Sequence, residues 1–237
     1  MDMKRNVFAL FTAVMMSFVL AVALCLRVLS APQTVFSQAD NSMKIVLDAG
    51  HGGVDGGVVG VRSGEKESDI NLSITLKLKD ELESMGFAVV LTRKTQAGLY
   101  GTATKGFKRR DMQKRKEIIE AEEPALVISI HQNFYPSQTL RGAQVFYAKD
   151  GEKGKALAGA IQEKLNGLYQ GEGVKARNIA AGDYYMLNCT TFPSVIVECG
   201  FLSSPADDML LTSNAWQKRI AEKIAAGALA YLSGAAT

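Results

Sequence analysis

Short apolar runs alternate with longer stretches whose apolar residues recur every three or four positions. That alternation narrows the fold of this chain more than any other feature. "MKIVLDAG" (43–50), "FAVVLTR" (87–93), "ALVISIH" (125–131), "GAQVFYA" (142–148) and "PSVIVECG" (193–200) have strand length and strand composition. Between them, Ile70, Ile74, Leu78, Leu82 and Met85 fall on one helical face, with Ser68 or Asp69 placed to cap that helix and Gly86 to stop it. Leu157, Ile161, Leu165 and Leu168 form a second stripe, and Trp216, Ile220, Ile224, Ala228 and Tyr231 a third. A basic stretch from Lys105 to Lys116 leads into a helix ending near Glu123–Pro124, Pro205 with Asp207 and Asp208 opens a short one, and "DYYML" (183–187) reads as a short strand. The pattern predicts an α/β fold: a single three-layer domain, phosphorylase/hydrolase-like, with a mostly parallel twisted sheet and helices on both faces. In such sheets sites gather at the carboxyl ends of strands.

The N-terminus is of a different kind. Residues 7–26, "VFALFTAVMMSFVLAVALCL", carry no charge and are long enough to cross a bilayer as a hydrophobic helix. Lys4 and Arg5 before it favour export of the chain beyond it. "RVLSAPQ" is a poor cleavage site, which leans the reading towards a signal anchor over a cleaved signal peptide. The expected organisation is therefore a targeting segment over 1–29, a polar linker over 30–42 and one domain over 43–237, exported and either membrane-anchored or secreted. Past the targeting segment only Cys189 and Cys199 remain, too few for a disulfide-stapled domain. A net charge of +3 permits attraction to an anionic surface and does not call for nucleic acid.

The chain has two histidines, and both fall at the ends of predicted strands. His51 sits in "LDAGHGGVDGG" after the first strand, and His131 ends the third in "SIHQN". Glu198 ends a later strand in "VIVECG", and "GEKESDINL" supplies acids between the first strand and the first helix. Two neutral imidazoles and a carboxylate are a common catalytic zinc set, and a further glutamate outside the metal shell is then the base. Glycines around His51 let the backbone turn sharply towards such a site. Taken singly, each histidine is equally well a loop or strand-end residue satisfied by a neighbour. Asp48 is placed either to accept a ring proton from a liganding histidine or to bond turn amides.

"IVLDAGHGGVDGG", the "ESDINL" helix start, "ISIHQN" and "PSVIVECGFLSSPADD" occur in that order and resemble the zinc-dependent N-acetylmuramoyl-L-alanine amidases of the type-3 family. The short layout with an N-terminal apolar segment is most similar to the germination-specific, spore-cortex amidases. The resemblance covers roughly residues 43–234. It implies one Zn2+ per chain held by His51, Glu67 and His131, with Glu198 as the catalytic residue. Glu65 stands two positions before Glu67 and offers a similar oxygen; the family spacing selects Glu67. Arg177, in "KARNIA", is similar to a basic position near the family's substrate groove, and Asn133 is a candidate for orienting substrate.

The implied reaction is hydrolysis of the amide between the lactyl group of N-acetylmuramic acid and L-alanine in peptidoglycan. The alternatives are a zinc carboxypeptidase on wall peptides and a non-catalytic wall-binding protein. No wall-binding repeat is visible, so targeting and control are expected from a partner protein or from the timing of expression. A downstream deacetylase is expected if the setting is the spore cortex, in the space between forespore and mother cell. The basic stretch Lys105–Lys116 reads as a solvated helix face or as an attractor for an anionic wall.

Overall fold

The computed structural model describes residues 15–16, 43–102 and 105–234. The apolar segment 7–26 and the linker 30–42 lie outside those residues, apart from Met15 and Met16. Among the described residues no helix is long and apolar enough to cross a membrane.

Within the unit Ala39–Thr237 the chain runs β1 (Lys44–Ala49), α1 (Glu67–Ser84), β2 (Ala88–Leu91), α2 (Phe107–Glu122), β3 (Leu126–Asn133), β4 (Gln144–Ala148), α3 (Glu152–Gln170), β5 (Ala180–Gly182), α4 (Tyr185–Asn188), β6 (Ser194–Phe201), α5 (Pro205–Leu211) and α6 (Asn214–Leu232). The six strands form one sheet in the order β2-β1-β3-β6-β4-β5. β2, β1, β3 and β6 are mutually parallel, and β4 joins β6 antiparallel with β5 parallel to β4. The antiparallel joint has a direct cause. No helix separates β3 from β4, and a chain that returns without a crossover enters the sheet running the other way.

β1, β3 and β6 are buried almost throughout, as expected of strands covered on both faces. Alternate residues divide between two cores. Ile45, Leu47, Leu126, Ile128, Ile130, Val195 and Val197 pack with α1, α3 and α6 in the larger one. Val46, Val127 and Ile196 face the other way, against Ile119 of α2 and Met186 and Leu187 of α4. This smaller layer carries the site.

Two local expectations are corrected. Ser68 and Asp69 lie inside α1 and do not cap it. The first-turn amides of Glu67 and Ser68 donate instead to the carbonyls of Val58 and Gly56, so the preceding loop caps the helix and α1 begins at Glu67. Residues 183–187 are not a strand: β5 ends at Gly182 and α4 follows. Met186 and Leu187 are consecutive and both buried in one layer, which a strand, with its alternating faces, would not permit. At the other end of α1, Gly86 takes φ +91° just past the helix, in the left-handed region where glycine is favoured.

Candidate active site

Asp48 of β1, Ser129 and His131 of β3, and Glu198 of β6 all point to the smaller layer, because Asp48 pairs in register with Ser129 and His131 with Glu198. The register of β3 and β6 shifts between His131 and Asn133, so the irregularity lies at the site itself. His51 comes after β1 in a loop that folds over the same edge. Its own φ is +62°, in the left-handed region that a residue with a side chain seldom adopts. Two buried arginines hold that turn. Arg93 donates from Nε to the Ala49 carbonyl (2.8 Å) and from Nη2 to the carbonyls of Gly50 (3.0 Å) and Ser68 (2.7 Å). Arg115 donates from Nη1 to the Ala49 carbonyl (2.8 Å) and from Nη2 to the His51 carbonyl (2.6 Å). A Cβ on Gly50 would stand 2.2 Å from the His131 ring, so only glycine lets the loop pass this close.

Glu67, in the first turn of α1, brings the two imidazoles together. Its Oε1 lies 3.0 Å from His131 Nδ1 and 3.3 Å from His51 Nε2, and accepts from the Gln132 amide at 3.1 Å. Its Oε2 accepts from the Val58 amide at 3.0 Å. One donor atom from each of His51, Glu67 and His131 lies within 4.8 Å of the others. Tetrahedral zinc with donors about 2.0–2.2 Å away separates those donors by roughly 3.3–3.6 Å, close to the 3.0 and 3.3 Å between Glu67 Oε1 and the two ring nitrogens. His51 Nδ1 faces Asp55 Oδ1 at 3.0 Å, which directs Nε2 towards Glu67. Glu65 is exposed and outside the cluster.

The electrostatics follow the geometry. Burial opposes charge on Glu67, but the His131 and His51 rings outweigh it and hold its carboxyl well below the usual range. The same Glu67, with Asp55, raises His51 against the opposing effect of burial. Glu198 differs: burial pushes its carboxyl up to about 7, with His131 opposing and Glu67 adding to the rise. Its Oε2 is buried without a hydrogen-bond partner. It lines the same cavity, about 600 Å³, as His51, Glu67, His131, Asn133 and Tyr184.

Of the other sequence candidates, Asn133 lines the cavity, whereas Arg177 does not. Arg177 donates from Nε to the Arg141 carbonyl (2.8 Å), and its guanidinium lies 4.7 Å from the centre of the Phe201 ring. Asp48 bonds neither a histidine ring nor a turn amide. It accepts from Arg115 Nη1 (2.5 Å), Thr92 Oγ1 (2.6 Å) and Ser129 Oγ (2.6 Å). Burial pushes its carboxyl up, but Arg115 and the two hydroxyls more than offset this and set it at about 2. Sequence reasoning misses the roles of Asp55, Arg93 and Arg115. Asp55 alone carries a local signal, four residues after His51 in "HGGVD".

The chain matches the N-acetylmuramoyl-L-alanine amidase family over residues 45–230. It is 38% identical over 192 residues to the germination-specific N-acetylmuramoyl-L-alanine amidase of Bacillus subtilis (strain 168), covering 80% of this chain and 79% of that one. Its fold is similar to the CwlD amidase from Clostridioides difficile, solved in complex with the GerS lipoprotein, with a TM-score of 0.77 and 38% identity over 81% of this chain and 99% of that one. It is also similar to the catalytic domain of CwlV, an N-acetylmuramoyl-L-alanine amidase from Bacillus (Paenibacillus) polymyxa var. colistinus, with a TM-score of 0.70 and 29% identity over 81% and 98% of the two chains. By sequence and by fold, this chain belongs to the N-acetylmuramoyl-L-alanine amidase family.

Proposed function

We propose that His51, Glu67 and His131 hold one Zn2+ and that Glu198 moves the proton in hydrolysis of the amide joining the lactyl group of N-acetylmuramic acid to L-alanine. The observation that carries this reading is Glu198. It is half-buried, with a buried Oε2 that has no hydrogen-bond partner, in register with His131 and facing the same cavity as the three donors. Bound zinc lowers the pKa of a water and polarises the substrate carbonyl. Glu198 accepts the proton of the attacking water, and its burial near pKa 7 lets it hold that proton. It then delivers the proton to the departing amine of L-alanine, leaving a free stem peptide and a glycan with a lactyl carboxylate. Asp55 keeps the His51 ring oriented throughout.

The setting we propose is spore-cortex peptidoglycan, a reading supported by likeness to the Bacillus subtilis amidase named as germination-specific. The N-terminal apolar segment (1–29) exports the catalytic domain (43–237) through the 30–42 linker, as an anchor or a cleaved signal. The Clostridioides difficile relative is seen with a lipoprotein, which supports an activating partner here. A deacetylase acting on the bared muramic acid is the expected next step.

Mass spectrometry of peptidoglycan incubated with the purified protein and zinc tests the reading. Release of stem peptides beginning with a free L-alanine amine, lost on chelation, is the expected result. Loss of terminal residues with the lactyl–alanine bond intact would assign a carboxypeptidase. Binding to the wall without any cleavage, even with an activating partner added, would assign a non-catalytic wall protein.

A further inference from the structure

The basic stretch on α2 does not behave as one surface. Arg115 is buried against Asp48 and Asp111. Lys114 pairs with Glu117 at 3.0 Å and Lys116 with Glu120 at 3.4 Å. Among the described residues, Lys105, Lys108, Arg109 and Arg110 have no acidic side chain within 4.0 Å. Two of these four, Lys108 and Arg109, line a groove of about 620 Å³ with Met112, Gln113, Lys116 and Tyr185 and with two acids, Glu117 and Glu120, each of which already pairs with a lysine. The α2 residues among them recur one and four apart, so they share one side of the helix. Lys108, Met112 and Tyr185 also line the cavity that holds Glu198 and the His51–Glu67–His131 cluster, so the groove adjoins the cavity along these three side chains.

We infer that this groove between α2 and α4 is the subsite for the acidic peptide side of the substrate, with Lys108 and Arg109 as its carboxylate-binding side chains and Tyr185 as the opposite wall. This rests on the amidase reading. The scissile amide divides its substrate into a neutral acyl side, the sugar chain, and an amine side, a short peptide bearing carboxylates. Unpaired cations suit the second and gain nothing from the first. From Lys108 to Lys116 is about 12 Å along a helix, the reach of about three extended residues. A stem that leaves the cavity along α2 therefore passes both free cations within its first few residues. Each exposed contact is individually weak and weakened further by salt, so the groove acts on KM more than on kcat.

The test uses the full chain with zinc and two synthetic muramoyl peptides, identical except that the peptide carboxylates are free in one and amidated in the other. Wild type is expected to prefer the free acid about tenfold in kcat/KM at low salt, the sum of two such contacts, and less at moderate salt. K108E/R109E should lose that preference through a raised KM, with unchanged thermal stability. K105E/R110E, of equal charge change but outside the groove, should retain it. The subsite is overturned if wild type hydrolyses both peptides equally, if K108E/R109E is impaired equally on both, or if K105E/R110E loses the preference as fully. In those cases the amidase reading stands. Hydrolysis of neither peptide, even with an activating partner added, overturns the amidase reading and the subsite with it.

Discussion

A carboxyl that takes a proton in one step and returns it in the next works best when its proton affinity is close to the surrounding pH. Glu198 acquires that affinity from burial: its pKa rises to about 7 because the charged form has little solvent and no hydrogen-bond partner on Oε2. Only the ionised form accepts a proton, so kcat/KM should rise with pH through this value. A cation bound beside it favours the ionised form, which places the rising limb at or below about 7. Glu198→Gln should lower kcat by about 10²–10⁴-fold and leave the melting temperature equal or higher, since no buried charge remains. A variant retaining wild-type turnover, or a wild-type profile flat from acid to neutral pH, would remove Glu198 from the role. Glu198 is visible in the sequence because it ends an apolar run, and so are His51 and His131. The roles of Asp55 and Arg115 are not, since a carboxylate in a glycine loop and an arginine in a basic stretch look like solvated surface until a partner is placed opposite.

At the scale of elements, the loop between β1 and α1 decides where Glu67 stands. Its carbonyls cap α1, its Val58 amide holds Glu67 Oε2, and a distant side chain holds the loop. Asp208, fully buried in α5, accepts from the amides of Arg62 (2.7 Å) and Ser63 (2.9 Å) and from the Ser63 hydroxyl (2.6 Å). The sequence marks Asp208 only as part of a helix start; the structure adds that it fastens the loop leading to Glu67. Asp208→Ala leaves three donors without a partner, at a cost of about 1–3 kcal/mol. Zinc affinity, read by competition with a chromogenic chelator, should fall alongside it. An unchanged affinity with a lowered melting temperature would confine Asp208 to stability. The neighbouring Asp207 works similarly on the other side, accepting from Arg141 Nε and the Gly142 amide, each at 2.8 Å.

Across the whole molecule, α2, β1 and the His51 turn are joined by one buried ionic cluster. Arg115 meets Asp48, Asp111 and the carbonyls of Ala49 and His51, while Arg93 reaches the carbonyls of Ala49, Gly50 and Ser68. Removing one member of a buried pair exposes the other to an apolar setting and costs about 3–5 kcal/mol. Arg115→Ala should therefore lower the urea midpoint sharply, and Arg115→Lys should not restore it, because an ammonium cannot reproduce the planar fork. Full rescue by lysine would mean that charge alone matters at this position. The sequence by itself determined the α/β class, the strands near whose carboxyl ends His51, His131 and Glu198 stand, and the helices that cover the sheet, although β3 and β6 run on past His131 and Glu198 to Asn133 and Phe201. These are properties of local periodicity, and each can be read within about 20 residues. Tertiary structure alone decided the antiparallel entry of β4, the capping of α1 by loop carbonyls and the division of the basic stretch into buried, paired and free cations. It also took Arg177 out of the cavity lining and gave Asp55 a histidine to orient. Those outcomes depend on contacts between residues far apart in the chain, such as Asp48 with Arg115 and Arg62 with Asp208, for which local periodicity carries no signal.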